Sequence, residues 1–123
     1  MTDRYKELPP LVNHWLNTHD CYLVGSGAVW LAGGDAEPND YDMIACESEH
    51  FNRMLRSLPE NAKTEAAMIN TMGGVKVTLP SGDEIDVWPH SLNEYFQQMA
   101  RKNYERCVAV RLDPCIVVRS QDL

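Results

Sequence analysis

Asp40 and Asp42 stand two residues apart at the entrance to an apolar segment, residues 41–46, and Asp86 lies inside another, Glu84-Ile85-Asp86-Val87. In a strand, residues i and i+2 point to the same face, so Asp40 and Asp42 present their carboxylates together. A divalent cation such as Mg²⁺ prefers oxygen ligands, and two carboxylates from one strand with a third from a neighbour are an economical supply. Upstream, the apolar Tyr22-Leu23-Val24 ends at Gly25-Ser26-Gly27, and a helical segment of small residues follows. Backbone N–H groups at such a strand-turn-helix junction point toward an anion.

Several elements are needed to position these residues. Leu8, Leu11, Val12, Trp15 and Leu16 recur at helical spacing, with Pro9-Pro10 fitting the first turn of that helix. A first strand over Cys21–Val24 leads into a short helix from about 26 to 32. The GGDAEPN stretch at 33–39 reads as a loop that delivers the chain to the second strand. Ser48 is the expected N-cap of a helix carrying Phe51, Met54, Leu55 and Leu58 and stopped by Pro59.

Strand character is weak at 66–69. Val75, Val77 and Leu79 alternate with Lys76 and Thr78, Ser81-Gly82 turns the chain, and Glu84 to Trp88 return it, which is a hairpin. In the returning strand Ile85 and Val87 share one face, while Glu84, Asp86 and Trp88 share the other. Asp86 can therefore be aimed at the Asp40/Asp42 side, with Glu84 as its substitute. Trp88 and His90 are expected to close the turn out of this strand rather than to serve the chemistry. Ser91-x-x-Glu94 has the form of a capping box for a helix reaching Arg101, and 108–112 and 116–118 read as closing strands around Asp113-Pro114. The expected fold class is α/β (α+β): a single domain over 1–123, with a mixed central sheet and helices mainly on one face.

The balance of 11 basic against 18 acidic residues, a net charge of −7, argues against wrapping a polyanion over a broad surface. Arg101, Lys102, Arg106, Arg111 and Arg119 cluster late, but Glu94, Glu105, Asp113 and Asp122 lie among them, as on a mixed-charge surface. The sequence contains no membrane-length apolar run, and its start lacks a secretory pattern, so the expected location is cytoplasmic, with no membrane partner. Cys21, Cys46, Cys107 and Cys115 lack the paired spacing of a zinc site and are expected to be reduced, partly buried thiols.

The order of hydrophobic residue, glycine turn, spacer and Asp-x-Asp resembles the polymerase-β-like nucleotidyltransferase superfamily. Within it, the chain is most similar to the head domain of tRNA CCA-adding enzymes and bacterial poly(A) polymerases. The resemblance rests on Gly27, Ala28, Val29, Glu37, Pro38, Asp40 and Asp42 within SGAVWLAGGDAEPNDYD, and it extends over roughly residues 22–88. Trp30-Leu31 stand where that family has Arg-Asp.

The resemblance implies a minimal nucleotidyltransferase fold and transfer of a nucleoside monophosphate from an NTP, ATP among the candidates, to a hydroxyl acceptor. The acceptor is a small molecule, a protein side chain or an RNA end, and a protein or RNA partner fits the last two. In that chemistry two divalent ions, Mg²⁺ or Mn²⁺, about 3.5–4 Å apart stabilise the attacking and departing oxygens. Asp40 and Asp42 would hold both ions, and Asp86 would complete the one nearer the incoming hydroxyl. The N–H groups of Gly25, Ser26 and Gly27, with the Ser26 hydroxyl, would take the β and γ phosphates. The alternative is a catalytically silent nucleotide-binding or protein-interaction module of the same fold, such as an antitoxin-like or inhibitor protein.

Overall fold

The computed structural model describes residues 3–18, 20–35, 37–66, 73–92, 107–112 and 115–119. A 3-10 turn at Asp3–Glu7 leads to helix α1, Pro10–Thr18. Pro10 is the first helical residue, where its fixed φ suits the helix and its missing N–H costs nothing. The Pro9 carbonyl accepts the Asn13 N–H at 3.1 Å. Strand β1, Cys21–Val24, then runs directly into α2, Gly25–Leu31, and β2, Asp40–Ala45, is followed by α3, Ser48–Arg56. Strands β3 (Lys63–Ala66), β4 (Val75–Thr78) and β5 (Glu84–Trp88) precede β6 (Cys107–Leu112) and β7 (Cys115–Arg119).

The strands form one sheet in the order β3-β4-β5-β2-β1-β6-β7. β2 and β5 pair parallel, and the other adjacent strands pair antiparallel, so the sheet is mixed. Parallel neighbours need a long crossover rather than a tight turn. Between β2 and β5 that crossover contains α3 and the β3/β4 pair.

The core lies on one face of this sheet. Cys21, Leu23, Tyr41, Met43, Ala45, Val77, Ile85 and Val87 point into it and meet Val12, Trp15 and Leu16 of α1, Ala28 and Leu31 of α2, and Met54 of α3. The three α-helices of the described residues therefore cover the same side, as the period-2 and period-3.6 patterns require. Close approach of α2 depends on Gly27, where a Cβ would lie 3.2 Å from both Leu23 Cδ1 and Tyr41 Cδ1. Trp15 adds a polar tie, its indole N–H donating to Ser57 Oγ at 2.9 Å. Burial pushes the Cys21 thiol well above its usual pKa, and neither Cys21 nor Cys46 is in a disulfide among the described residues.

Several local expectations shift. Ser48 is the first residue of α3 rather than its cap; Glu47 holds the cap position and makes no side-chain capping bond. The strand expected at 66–69 begins three residues earlier, at Lys63, and 67–69 lie outside the described residues. The 75–88 hairpin forms as expected, with Gly82 at φ 92° in its turn and Leu79 N–H bonded to the Asp83 carbonyl at 2.9 Å. The closing pair β6/β7 is also a hairpin, with an irregular register between Ala109 and Arg111. A 3-10 turn, His90–Leu92, follows β5, whereas the expected capping partner Glu94, the helix to Arg101, the basic residues Lys102 and Arg106, and Asp113-Pro114 lie outside the described residues, as do the thiols of Cys107 and Cys115. Among the described residues no helix is long and apolar enough to cross a membrane.

Ile85, fully buried at the centre of the sheet, should be a sensitive core position. Ile85→Ala is expected to lower the unfolding free energy by about 2–5 kcal/mol through lost burial and a residual cavity. Thr64→Ala, on the exposed edge strand β3, should change it by less than about 0.5 kcal/mol. Urea unfolding of the two variants checks both.

Candidate active site

The face of the sheet opposite the helices carries the charged groups. Because β2 and β5 run parallel, Asp42 lies directly beside Asp86, and Asp40 beside Glu84. On the far side of β5, Lys76 of β4 is the in-register neighbour of Asp86. Lys76 Nζ lies 3.3 Å from Glu84 Oε2. Asp40, Asp42, Glu84 and Asp86 are all half-buried. The sequence expectation that Asp86 shares a face with the aspartate pair is therefore met, and Glu84 lies one step along the same row.

The consequence is electrostatic. The Asp86 carboxyl is pushed up to about 6, first by burial, then by the negative charges of Asp42 and Asp40; a hydrogen bond with Asp40 adds to the rise, and Lys76 opposes it. Neighbouring carboxylates resist simultaneous ionisation, so one of them keeps its proton closer to neutrality. A group poised there can accept a proton from a weak acid near physiological pH.

Asp42 is oriented by two other elements. Its Oδ1 accepts a hydrogen bond from Trp88 Nε1 at 3.0 Å. Its Oδ2 lies against the turn that opens α2, so close that a Cβ on Gly25 would sit 2.8 Å away. Gly25 has φ +68°, in the left-handed region that glycine enters without strain. Two independent constraints thus require glycine there. Val24, just before the helix, makes no side-chain capping bond to the first N–H groups of α2. Ser26 is exposed, whereas Gly25 and Gly27 are buried.

Trp88 and Arg4 are residues to which sequence reasoning gave no role at this site. Trp88 was expected only to close a turn, yet it belongs to the same face as Asp86 and reaches Asp42. A period-2 count places it on that face, but its partner is 46 residues away in the chain. Arg4 donates through Nη1 to the carbonyls of Trp30 and Gly34, both at 2.6 Å, and its guanidinium lies 5.2 Å from the centroid of the Trp30 ring. That tie secures the end of α2 and the start of the loop leading to Asp40. Trp30 and Leu31 themselves are buried.

A second acidic group follows the other end of β2. Among the described residues, the trio whose ligand atoms all lie within 4.8 Å of one another is Glu47, Glu49 and His50, not the three aspartates. His50 Nε2 is 3.5 Å from Asp20 Oδ1, and Arg53 Nη1 donates to both oxygens of Asp20 at 3.1 and 3.2 Å. Glu47 and Glu49 are exposed, and the cluster shares no residue with the site around Asp42.

The donor set of Asp40, Asp42 and Asp86 consists of hard oxygens and fits Mg²⁺ or Mn²⁺ rather than a thiolate-seeking ion. Gly25 leaves the space that the Asp42 carboxylate occupies. By donor chemistry the three aspartates suit a divalent cation.

Two solved structures share this fold. A CCA-adding enzyme in complex with CTP matches 94% of this chain and 30% of its own length, at a TM-score of 0.62 and 14% identity. A CCA-adding enzyme in complex with ATP matches 88% of this chain and 29% of its own, at 0.55 and 17%. The chain thus spans about three tenths of those enzymes, and at these identities the similarity establishes the fold alone, one shared with part of each enzyme. No protein-family model and no curated protein matches the chain.

The raised Asp86 pKa gives a pH dependence with a definite sign. Below the ordinary carboxyl value of 3.8 both folded and unfolded chains hold the proton, and the contribution of Asp86 is fully present. It is lost as pH rises through about 6, because the folded state then gives up a proton that it binds more tightly. With chelator present, the loss between pH 4 and 7 should be on the order of 1 kcal/mol, discounted for the partial exposure of the group. Denaturant titrations across that range should give a flatter profile for Asp86→Asn than for the parent.

Proposed function

We propose that this domain is a divalent-metal-dependent nucleotidyltransferase, moving a nucleoside monophosphate from an NTP to a hydroxyl acceptor. The observation that carries the proposal is the in-register pair Asp42 and Asp86, with Asp40 alongside, next to the glycine turn at the start of α2. The fold it sits on is shared with enzymes solved with CTP and with ATP.

In this reading Asp40 and Asp42 bind the metal, and Asp86 completes the site on the acceptor side. Bound there, a divalent cation neutralises the triphosphate and stabilises charge developing on the attacking and departing oxygens. The N–H groups of Gly25, Ser26 and Gly27, with the exposed Ser26 hydroxyl, take the β and γ phosphates. Asp86 orients the acceptor hydroxyl and accepts its proton at Oδ. The acceptor is a small molecule, a protein side chain or an RNA end, and the net charge of −7 disfavours broad contact with RNA by this domain alone.

A second reading, a nucleotide-binding or protein-interaction module without turnover, is favoured by one observation. Trp30 and Leu31, at positions where the resembling enzymes have a charged pair, are both buried. Two apolar side chains there contribute packing and supply no ionic contact to a substrate.

The two readings separate on variants of the aspartates. An Asp40→Asn, Asp42→Asn double variant should fold as well as the parent, since two mutually repelling charges are removed, and should lose Mg²⁺-dependent triphosphate binding. Asp86→Asn should retain triphosphate binding, while label transfer into an acceptor fraction of cell extract falls by about 100-fold or more. Unchanged binding by the double variant would place the site elsewhere. Absence of transfer by the parent with all four triphosphates would favour the silent module.

A further inference from the structure

Asp42 is clamped between two chain segments that are remote from each other in sequence. On one side the Gly25 turn abuts Oδ2, leaving no room even for a Cβ. On the other, Trp88 Nε1 donates to Oδ1 at 3.0 Å. The register explains the reach: Ile44 pairs with Trp88 and Asp42 with Asp86, so Trp88 lies one diagonal step from Asp42 on the face they share. Rotation of the carboxylate about its own axis would break the indole contact. Trp88 is itself only 7% exposed, which restrains the donor as well as the acceptor.

The chemistry of the donor matters as much as its position. An indole N–H donates only, so it neither ligates a cation nor accepts from one. It is also neutral: a lysine or arginine in its place would cancel the carboxylate charge and compete with the metal, whereas the indole leaves that charge intact. A carboxylate oxygen has two lone-pair directions and can accept the indole hydrogen while coordinating a cation with the other. Hydrogen bonds of this kind to metal-binding carboxylates orient them and raise metal affinity. By contrast, Trp15 spends its N–H on Ser57 Oγ.

We infer that Trp88 is a positioning residue of the metal site, holding the Asp42 carboxylate in the orientation that takes up a divalent cation. This rests on the reading of Asp40, Asp42 and Asp86 as metal ligands, so its test keeps the two apart. Mn²⁺ binding, followed by the electron paramagnetic resonance of the free ion, is compared for the parent, Asp42→Asn and Trp88→Phe. Phe keeps the ring and removes the N–H. Trp88→Phe is expected to weaken Mn²⁺ binding about 10-fold or more, with a melting temperature close to the parent's.

Loss of binding in Asp42→Asn together with parental affinity in Trp88→Phe would overturn this inference and leave the metal site standing. Parental affinity in Asp42→Asn, or no Mn²⁺ binding by the parent, would overturn both. A measurement on the unaltered chain covers the case in which Trp88→Phe does not fold. Of the three indole N–H resonances, assigned by elimination with Trp15→Phe and Trp30→Phe, that of Trp88 should shift most on Mg²⁺ titration. A Trp88 resonance unmoved at saturating Mg²⁺ would overturn the inference.

Discussion

The parallel pairing of β2 with β5 is the constraint on which the rest depends. It sets Asp42 beside Asp86, an arrangement of like charges that a sheet chosen for stability alone would avoid. Burial first, and that repulsion second, hold the Asp86 carboxyl above its ordinary pKa. What offsets it lies on the other face of the same strands, where Tyr41, Met43, Ile85 and Val87 alternate with the acidic residues and anchor the sheet to three helices. Each strand thus has a stabilising face and a working face, and register fixes both at once: slipping by one residue would exchange them.

Around that pair the chain is shaped to hold carboxylates rather than to bury them. Gly25 gives Asp42 room by lacking a side chain, and Trp88 gives it a neutral donor. Arg4, from the first turn of the chain, fastens the end of α2 and the loop that leads to Asp40. The working parts come from five places, near residues 4, 25, 30–34, 40–42 and 86–88, and the sheet order brings them together. The fold is shared with CCA-adding enzymes at 14–17% identity. Core positions tolerate exchange of apolar residues, whereas the turn and its carboxylates depend on residue type.

Much of this was legible in the sequence because its signals are local. Val24 to Gly27 announces a strand, a turn and a helix within four residues, and the period of two places Asp40 with Asp42 and Asp86 opposite Ile85. Ser81-Gly82 marks the hairpin that returns β5. Other features depend on contacts between distant segments, which no local pattern carries. The parallel partner of β2, the reach of Trp88 to Asp42 and the bonds from Arg4 to Trp30 and Gly34 are of that kind. The start of β3 is illegible for a different reason: Lys63, Thr64 and Glu65 are exposed on an edge strand and show no apolar alternation. Ser48 has the right chemistry for a cap, yet the extended backbone of Glu47 starts the helix one residue earlier. Glu47, Glu49 and His50 gave no motif at all, since their proximity follows from one turn of α3 rather than from a recognisable spacing.

In the proposed reading a divalent cation and a triphosphate meet at Asp40, Asp42 and Asp86. The most direct measurement is anomalous diffraction from crystals grown with Mn²⁺ and a non-hydrolysable triphosphate. Manganese density coordinated by those aspartates and a triphosphate seated on the 25–27 turn are the expected result. Manganese confined to Glu47, Glu49 and His50, or a triphosphate bound away from that turn, would contradict it.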